Sequence, residues 1–247
     1  MPGAWLILPT YNEAENVEAI VRAALGELAT TGREHTVLVV DDGSPDGTGR
    51  IADRLAEELP NLRVLHRQAK EGLGRAYLDG FRWALAREYD QILEMDCDFS
   101  HDPARVPALR DAVRGGAGLA LGSRYIPGGG VVDWGLARRF ISRGGCLYAQ
   151  LLLGLPVHDL TGGFKCFDRR VLEAIALDEV SAEGYAFQIE MTYRTHLLGF
   201  TIGEVPIVFS DRVAGGSKMS RRIVAEAAWR VPQLRFRALR GRIPRNR

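Results

Sequence analysis

Cysteine is scarce in this chain of 247 residues, with only three, at positions 97, 146 and 166. The number is odd and no CxxC spacing occurs, which argues against a disulfide framework or a zinc site and for a reducing cytoplasm. Long apolar runs are missing too. The greasiest segment, Cys146 to Leu155, is broken by Gln150 and Gly154 and has about half the length of a bilayer-spanning helix. Met1-Pro2-Gly3 leads directly into Ala4-Trp5-Leu6-Ile7-Leu8, without a basic region or an apolar leader core, so no secretion signal is expected. No GxxxxGK[ST] loop is present and no GxGxxG follows the first strand, which weakens the ATPase and dehydrogenase readings. Acids almost vanish at the end: from Arg221 to Arg247 the only one is Glu226, although the whole chain carries a formal charge of +1. That basic segment seeks anions. An RNA-binding role would call for aromatic side chains between the arginines, and only Trp229 and Phe236 stand there, so no nucleic-acid partner is expected.

What is present fits one large α/β core. Hydrophobic residues make up 46% of the chain, enough for one core, or one with a small appended lobe. From residue 4 to about 125, short apolar runs alternate with amphipathic segments, which predicts a Rossmann-like, mostly parallel sheet flanked by helices. The strands are expected at Trp5–Leu8, Thr36–Val40, Leu62–Leu65 and around Gln91–Met95. The first helix carries Val17, Ile20, Val21, Ala24, Leu25 and Leu28 at helical spacing; the second spans roughly Gly49 to Leu59; the third carries Ala76, Leu78, Phe81, Ala84 and Leu85. We expect a single domain over 1–239, with a nucleotide-handling half to about 125 and an acceptor- and lipid-facing half to 239. Residues 240–247 are expected to form a disordered basic tail.

The organising stretch is Gln91-Ile92-Leu93-Glu94-Met95-Asp96-Cys97-Asp98-Phe99-Ser100-His101. It is an apolar strand emptying into two acids spaced i, i+2, just before a helix-starting Asp102-Pro103. In an extended strand end, side chains two apart lie on the same side, so Asp96 and Asp98 can offer oxygens to one hard cation that bridges to phosphate. Polar clusters follow the other strands: Pro9-Thr10-Tyr11-Asn12-Glu13, Asp41-Asp42-Gly43-Ser44-Pro45-Asp46-Gly47-Thr48, and the glycine-relieved Lys70-Glu71-Gly72-Leu73-Gly74. Singly each reads as ordinary turn chemistry. In a parallel sheet the carboxyl ends of the strands share one edge, where ligands sit, and convergence of the clusters there points to nucleoside-diphosphate chemistry.

These motifs, in this order and spacing, resemble family 2 glycosyltransferases of GT-A fold. Gly122-Ser123-Arg124-Tyr125, Ile141-Ser142-Arg143-Gly144, Asp159-Leu160-Thr161-Gly162-Gly163-Phe164 and Gly203-Glu204-Val205-Pro206-Ile207 resemble one branch, the polyprenol (dolichol) monophosphate mannose synthases. The resemblance spans about residues 4 to 236. It implies inverting transfer of mannose from GDP-mannose to a polyprenyl phosphate with Mg2+ or Mn2+; UDP-glucose as donor, or a non-catalytic binding module, are the alternatives. It implies nucleotide-sugar contacts for Pro9, Tyr11, Glu13, Val40, Asp42, Asp96, Cys97, Asp98, Arg124, Arg212 and Lys218. Asp96 and Asp98 would be metal ligands, with Ser100 a third contact through water. Asp98, Arg124, Arg212 and Lys218 would carry catalysis, and Arg124, Arg139 and Lys218 would meet the acceptor phosphate. Cys97 replaces the usual alanine and Gly163 a common serine.

The residues support an anionic acceptor. A phosphate monoester is already charged at neutral pH and needs cations more than a base, and Arg124, Arg138, Arg139, Arg143, Arg212 and Lys218 are candidates. Glu190 is expected to position rather than to accept a proton, as a helix-surface or salt-bridging acid. Residues 137–155 are expected as a helix with Phe140, Ile141, Leu147, Tyr148, Leu151 and Leu152 near arginines, able to lie in a headgroup region or to be a core helix. Near the end, Ile223, Ala227, Val231 and Leu234 predict a basic amphipathic helix that Pro232 kinks or ends. Peripheral attachment to the cytoplasmic face of a membrane, with or without an anchoring subunit, follows. Arg124 to Trp134 and Asp211 to Ser220, rich in glycine, are expected as mobile loops closing over the substrates.

Overall fold

A computed structural model describes residues 3–31, 34–180, 184–210 and 221–244, with only the backbone described for 221–227. The first half follows the expected alternation, in the order β1 (Gly3–Thr10), α1 (Val17–Ala29), β2 (His35–Asp41), α2 (Thr48–Glu58), β3 (Leu62–His66), α3 (Leu73–Leu85) and β4 (Tyr89–Glu94). Then come α4 (Val106–Arg114), β5 (Leu119–Ser123), β6 (Gly130–Val131), α5 (Leu136–Leu153), β7 (Lys165–Asp168), α6 (Arg169–Ala174), α7 (Gly184–Leu197), β8 (Ile202–Pro206), β9 (Val208–Phe209) and α8 (Arg221–Leu239). The strands outrun the apolar runs because their flanking residues still pair: Thr10 with Asp41, and Asp41 with His66.

Seven strands form one sheet in the order β3-β2-β1-β4-β7-β5-β8. All neighbours are parallel except β7, which runs antiparallel to both β4 and β5. Alternation sorts the central strands between two cores. Leu6, Leu8, Val37 and Val39 pack under α1, α2 and α4; Trp5, Ile7, Leu38 and Val40 pack under α3, α6 and α7. Each fully buried side chain of this size contributes about 1.5–3 kcal/mol relative to exposure. Helix α3 lies close because Gly80 has no side chain, a Cβ there falling 2.7 Å from Ile7 Cγ2. The strand order reverses between β1 and β4, and a parallel sheet opens a crevice at such a point.

A third cluster joins α5, α7 and α8 through Ala149, Leu153, Ile189, Tyr193, Val231, Leu234 and Ala238. Contrary to one arm of the sequence expectation, α8 does not end at Pro232. Proline has no N–H to give the carbonyl four residues back; that carbonyl, of Ala228, accepts instead from the Tyr148 hydroxyl of α5 at 3.0 Å. The tail expected to be disordered from 240 is structured through 244. Gly241, at φ 70°, closes α8 in a Schellman turn, with Arg242 N–H to the Arg237 carbonyl and Gly241 N–H to that of Ala238, and Ile243 is buried in the third cluster. The loop expected over Arg124 to Trp134 is partly a ribbon, because Gly130 and Val131 pair with Val208 and Phe209. Asp211–Ser220 lies outside the described residues.

Candidate active site

At the β1/β4 crevice the chain ends of three strands line one cavity of about 300 Å³. Its walls include Pro9 near the end of β1, Tyr11 and Glu13 after it, Asp42 after β2, and Asp96, Cys97 and Asp98 after β4. Sequence reasoning placed all seven together, and they are together. Lys70, Gly72 and Leu73 close one side, and Thr161, Gly163, Tyr185 and Gln188 come from beyond residue 160.

The turn after β4 is held in an uncommon conformation. Phe99 has φ 57°, a left-handed geometry that costs a bulky residue on the order of 1–3 kcal/mol. It lets Asp98 Oδ1 accept from both the backbone N–H and the hydroxyl of Ser100, so Ser100 braces the Asp98 carboxylate and is not itself in the cavity wall. Asp102 then caps a short 3-10 turn by accepting from Ala104 N–H. Asp96 Oδ1 accepts from the Tyr77 hydroxyl at 3.3 Å, and the buried His101 ring stands 3.6 Å from Asp96 Oδ2. Burial, and then the carboxylates of Asp96 and Glu94, push the Tyr77 phenol well up, which keeps it a donor. Burial likewise pushes the Cys97 thiol up, with Glu13, Asp98 and Asp96 adding to it, so Cys97 stays a neutral thiol.

Asp42 has a local task as well. Its carboxylate takes Arg67 Nη1, and the backbone N–H groups of Glu71 and Gly72 at 3.3 and 3.1 Å. That clamp fixes the Lys70–Gly74 loop over the cavity, with Gly72 at φ 102°, ψ 164°, a conformation that only glycine adopts readily. Lys70 stands 3.6 Å over the Tyr11 ring and, among the described residues, is the one Lys or Arg in the cavity wall.

The remaining expected residues lie elsewhere. The Val40 side chain, still inside β2, packs into the core beneath α3 and is not in the cavity wall. Arg124 is buried and commits Nε and Nη2 to the Asp159 carboxylate at 2.6 and 2.7 Å, with Nη2 also on the Thr161 hydroxyl. Burial alone would lower the Arg124 pKa, but Asp159 raises it above the usual guanidinium value. Against the same burial, Arg124 holds Asp159 below the usual carboxylate range. Arg124 thus meets the cavity through Thr161. Arg139 is exposed and donates to the Val131 carbonyl; Arg138 stacks on Trp134 at 4.1 Å. Arg212 and Lys218 lie outside the described residues. Glu190 is fully buried and paired with Arg194 at 2.8 Å, so its salt-bridging reading holds and its surface reading does not.

Beneath the paired aspartates, Glu94 of β4 faces Lys165 of β7 at 3.6 Å, both fully buried. Burial pushes the Glu94 carboxyl up to about 7 despite Lys165, and burial lowers Lys165 against the pull of Glu94. Lys165 and Gln188 were missed as site residues in the sequence, and Thr161 and His101 stood in the quoted stretches with no role assigned. Their residue types suit a core or a loop equally, and α7 is buried nearly all round, leaving no periodic signal to single out Gln188.

Two carboxylates two residues apart at one cavity wall are a hard-oxygen donor set suited to Mg2+ or Mn2+. Among the described residues no three His, Cys, Asp or Glu side chains gather to enclose an ion; further ligands would come from a bound diphosphate and water.

Comparison with known proteins agrees with this geometry. A profile described as glycosyl transferase family 2 matches residues 5–176. An undecaprenyl-phosphate mannosyltransferase of Micrococcus luteus is 48% identical over 241 residues, covering 96% of this chain and 97% of that one. A polyprenol monophosphomannose synthase of Mycolicibacterium smegmatis is 46% identical over 243 residues, covering 98% of this chain and 89% of that one. A solved glucosyl-3-phosphoglycerate synthase of Mycobacterium tuberculosis, in complex with Mn2+, UDP and phosphoglyceric acid, shares the fold with TM-score 0.68 at 20% identity, over 93% of this chain and 78% of that one. The chain therefore belongs to glycosyl transferase family 2, in its branch of polyprenyl-phosphate mannosyltransferases.

Proposed function

We propose that this chain moves mannose from GDP-mannose to a polyprenyl phosphate, with inversion at the anomeric carbon. The observation that carries the reading is the Asp96/Asp98 pair in the wall of the crevice cavity, on a chain nearly half identical along its length to proteins named for joining mannose to a polyprenyl phosphate. When bound, Mg2+ or Mn2+ would neutralise the donor diphosphate and the charge growing on the leaving nucleoside diphosphate. The chain's own residues do the rest. Tyr11, Glu13 and Asp42 border the nucleoside, and Lys70 supplies a cation at the loop that Asp42 clamps. The acceptor phosphate is its own nucleophile, so the site needs positive charge to bring two anions together. Arg139, Arg212, Lys218 and, through Thr161, Arg124 are the residues proposed for that task.

The lipid side has a surface to match. Leu136, Phe140, Leu147 and Leu151 are all exposed and, at 100° per residue, form one stripe along α5. Cys146, Ala149 and Leu153 face the protein on the other side. Arg143 flanks the stripe, and Trp229, Phe236 and Leu239 of the neighbouring α8 are exposed as well. Among the described residues no helix is long and apolar enough to cross a membrane. The pair α5/α8 suits the headgroup region of an anionic membrane, each well-placed arginine contributing on the order of 1 kcal/mol. We place the protein at the cytoplasmic face of a membrane, held there by this surface with or without an anchoring subunit. Incubation of the purified chain with labelled GDP-mannose or UDP-glucose, polyprenyl phosphate and Mn2+ tests the reading. Lipid-soluble product from GDP-mannose is expected, and product from UDP-glucose alone would overturn the donor assignment.

A further inference from the structure

Gln188 of α7 is 2% exposed and borders the cavity, yet its amide is satisfied on one side only. Oε1 accepts from the Lys165 ammonium, which also donates to the Gln188 backbone carbonyl at 2.9 Å. An ammonium has donors and no acceptor, so the amide oxygen must face Lys165 and Nε2 must face the other way. No acceptor lies within full hydrogen-bond distance of Nε2. The amide does act on the Glu94 carboxylate as a donor and so favours its ionised form, but an NH2 has two protons to place and Glu94 takes at most one. Buried polar groups rarely stay unpaired unless a ligand or water completes them.

The space that Nε2 faces is next to Gly163. A Cβ built there would lie 3.4 Å from Gln188 Nε2 and 3.5 Å from Asp96 Oδ1. A donor and a carboxylate acceptor therefore flank one point of the wall where the backbone carries no side chain. A sugar hydroxyl lying against this bare stretch of backbone would suit both groups, since it accepts from the amide and donates to the carboxylate. We infer that Gln188 reads one hydroxyl of the donor's hexose, held in register by Lys165, and so helps to set which sugar is transferred. The inference rests on the nucleotide-sugar reading given above and adds a sugar-selecting residue to it.

The nucleoside diphosphate alone has no such hydroxyl, which gives the test. With Mn2+ present, wild type, Gln188→Glu and Gln188→Met are titrated with GDP, GDP-mannose and GDP-mannose analogues each lacking one hydroxyl; UDP and UDP-glucose run alongside. Gln188→Glu keeps an acceptor for Lys165 while deleting the NH2, so it separates recognition from folding, and thermal unfolding checks both variants. The expected result is GDP binding within about two-fold of wild type and GDP-mannose binding weaker by about five- to ten-fold, the effect of one hydrogen bond. One analogue, already weaker with wild type, should be weakened no further by the substitution. Equal losses for GDP and GDP-mannose, or a penalty independent of which hydroxyl is missing, would overturn the role of Gln188 and leave the transferase reading standing. Binding of UDP-glucose instead of GDP-mannose would overturn the donor assignment, and the same comparison of UDP with UDP-glucose would then decide on Gln188. A wild-type protein that binds no nucleotide sugar would overturn both.

Discussion

Replacing Asp159 by alanine strips the counter-charge from Arg124 without opening the site to water. The two side chains are 5% and 0% exposed, and the Asp159 carboxylate also accepts from the backbone N–H groups of Arg124 and Thr161. Breaking one side of such a buried pair leaves an uncompensated charge, which costs about 3–5 kcal/mol. For a chain of 247 residues each kcal/mol lowers the melting temperature by roughly 2 °C, so Asp159→Ala should melt about 8 °C early. Asp159→Asn keeps the shape and an acceptor oxygen and should lose about half as much.

Two controls make the reasoning refutable by calorimetry and urea unfolding. Removing both charges, as Arg124→Met with Asp159→Leu, should recover more than half of the loss, because the isolated ion and not the missing pair is what destabilises. The effect should also fade in acid. Asp159 is held below its usual value of 3.8 in the fold, so the stability it contributes is complete above the unfolded pKa near 4 and disappears as pH falls through the lower folded value. The gap between wild type and Asp159→Asn should therefore be full at pH 7 and narrow below about pH 4. A loss under about 1 kcal/mol for Asp159→Ala, or a double variant no better than the single one, would show that the Arg124 charge is solvated by some other route.

Further outcomes are expected elsewhere. Asp98→Ala should abolish mannolipid formation in the labelled-donor assay with the circular dichroism near wild type, while the lost Ser100 bonds cost about 1–3 kcal/mol of stability; activity restored at high Mn2+ would mean the ion is held elsewhere. Tyr148→Phe removes the donor to the carbonyl that Pro232 leaves open and should cost about 1 kcal/mol in urea unfolding, a cost that a Pro232→Ala background should reduce. Phe140→Ser with Leu151→Ser deletes two members of the exposed α5 stripe. It should cut sedimentation with vesicles of anionic lipid at least ten-fold with no loss of GDP binding, and equal binding by both proteins would remove that surface from the account.

Much of this fold is readable in the sequence because its first half obeys two periods. Val17, Ile20, Val21, Ala24 and Leu28 keep the helical period, while the strands reveal themselves as apolar runs ending in polar clusters. Those ends have to meet on one edge of a parallel sheet, which is why Tyr11, Asp42, Asp96 and Asp98 were found together from sequence alone. Arg124 and Val40 were harder for the same physical reason. A guanidinium in a sequence motif carries no mark of whether a carboxylate 35 residues on will capture it, as Asp159 does, and a strand residue's side chain is assigned to a face only when the register is known. Pro232 read as a helix breaker because the rule counts the lost backbone bond, and the tertiary hydroxyl that fills in for it comes from a helix 80 residues away.

The cavity's least legible wall is the one that bears on selectivity. Its nucleotide side is built from strand-end turns whose residue types are marked in the sequence, such as the left-handed Asn12, and the glycine at 72 that Asp42 clamps. The other side is built from long-range core contacts. Lys165 arrives on the antiparallel strand β7, just after the Asp159–Phe164 motif, and Gln188 on a helix buried nearly all round, and neither residue type by itself names a ligand. A fold made this way can keep the strand-end acids that handle a diphosphate while the far wall is rebuilt by exchanging buried polar residues. The comparison protein that takes UDP complexes at 20% identity shares the sheet, and sharing the sheet says nothing about which sugar each admits. Selectivity should therefore follow the Lys165–Gln188–Gly163 wall more closely than it follows the acidic motif.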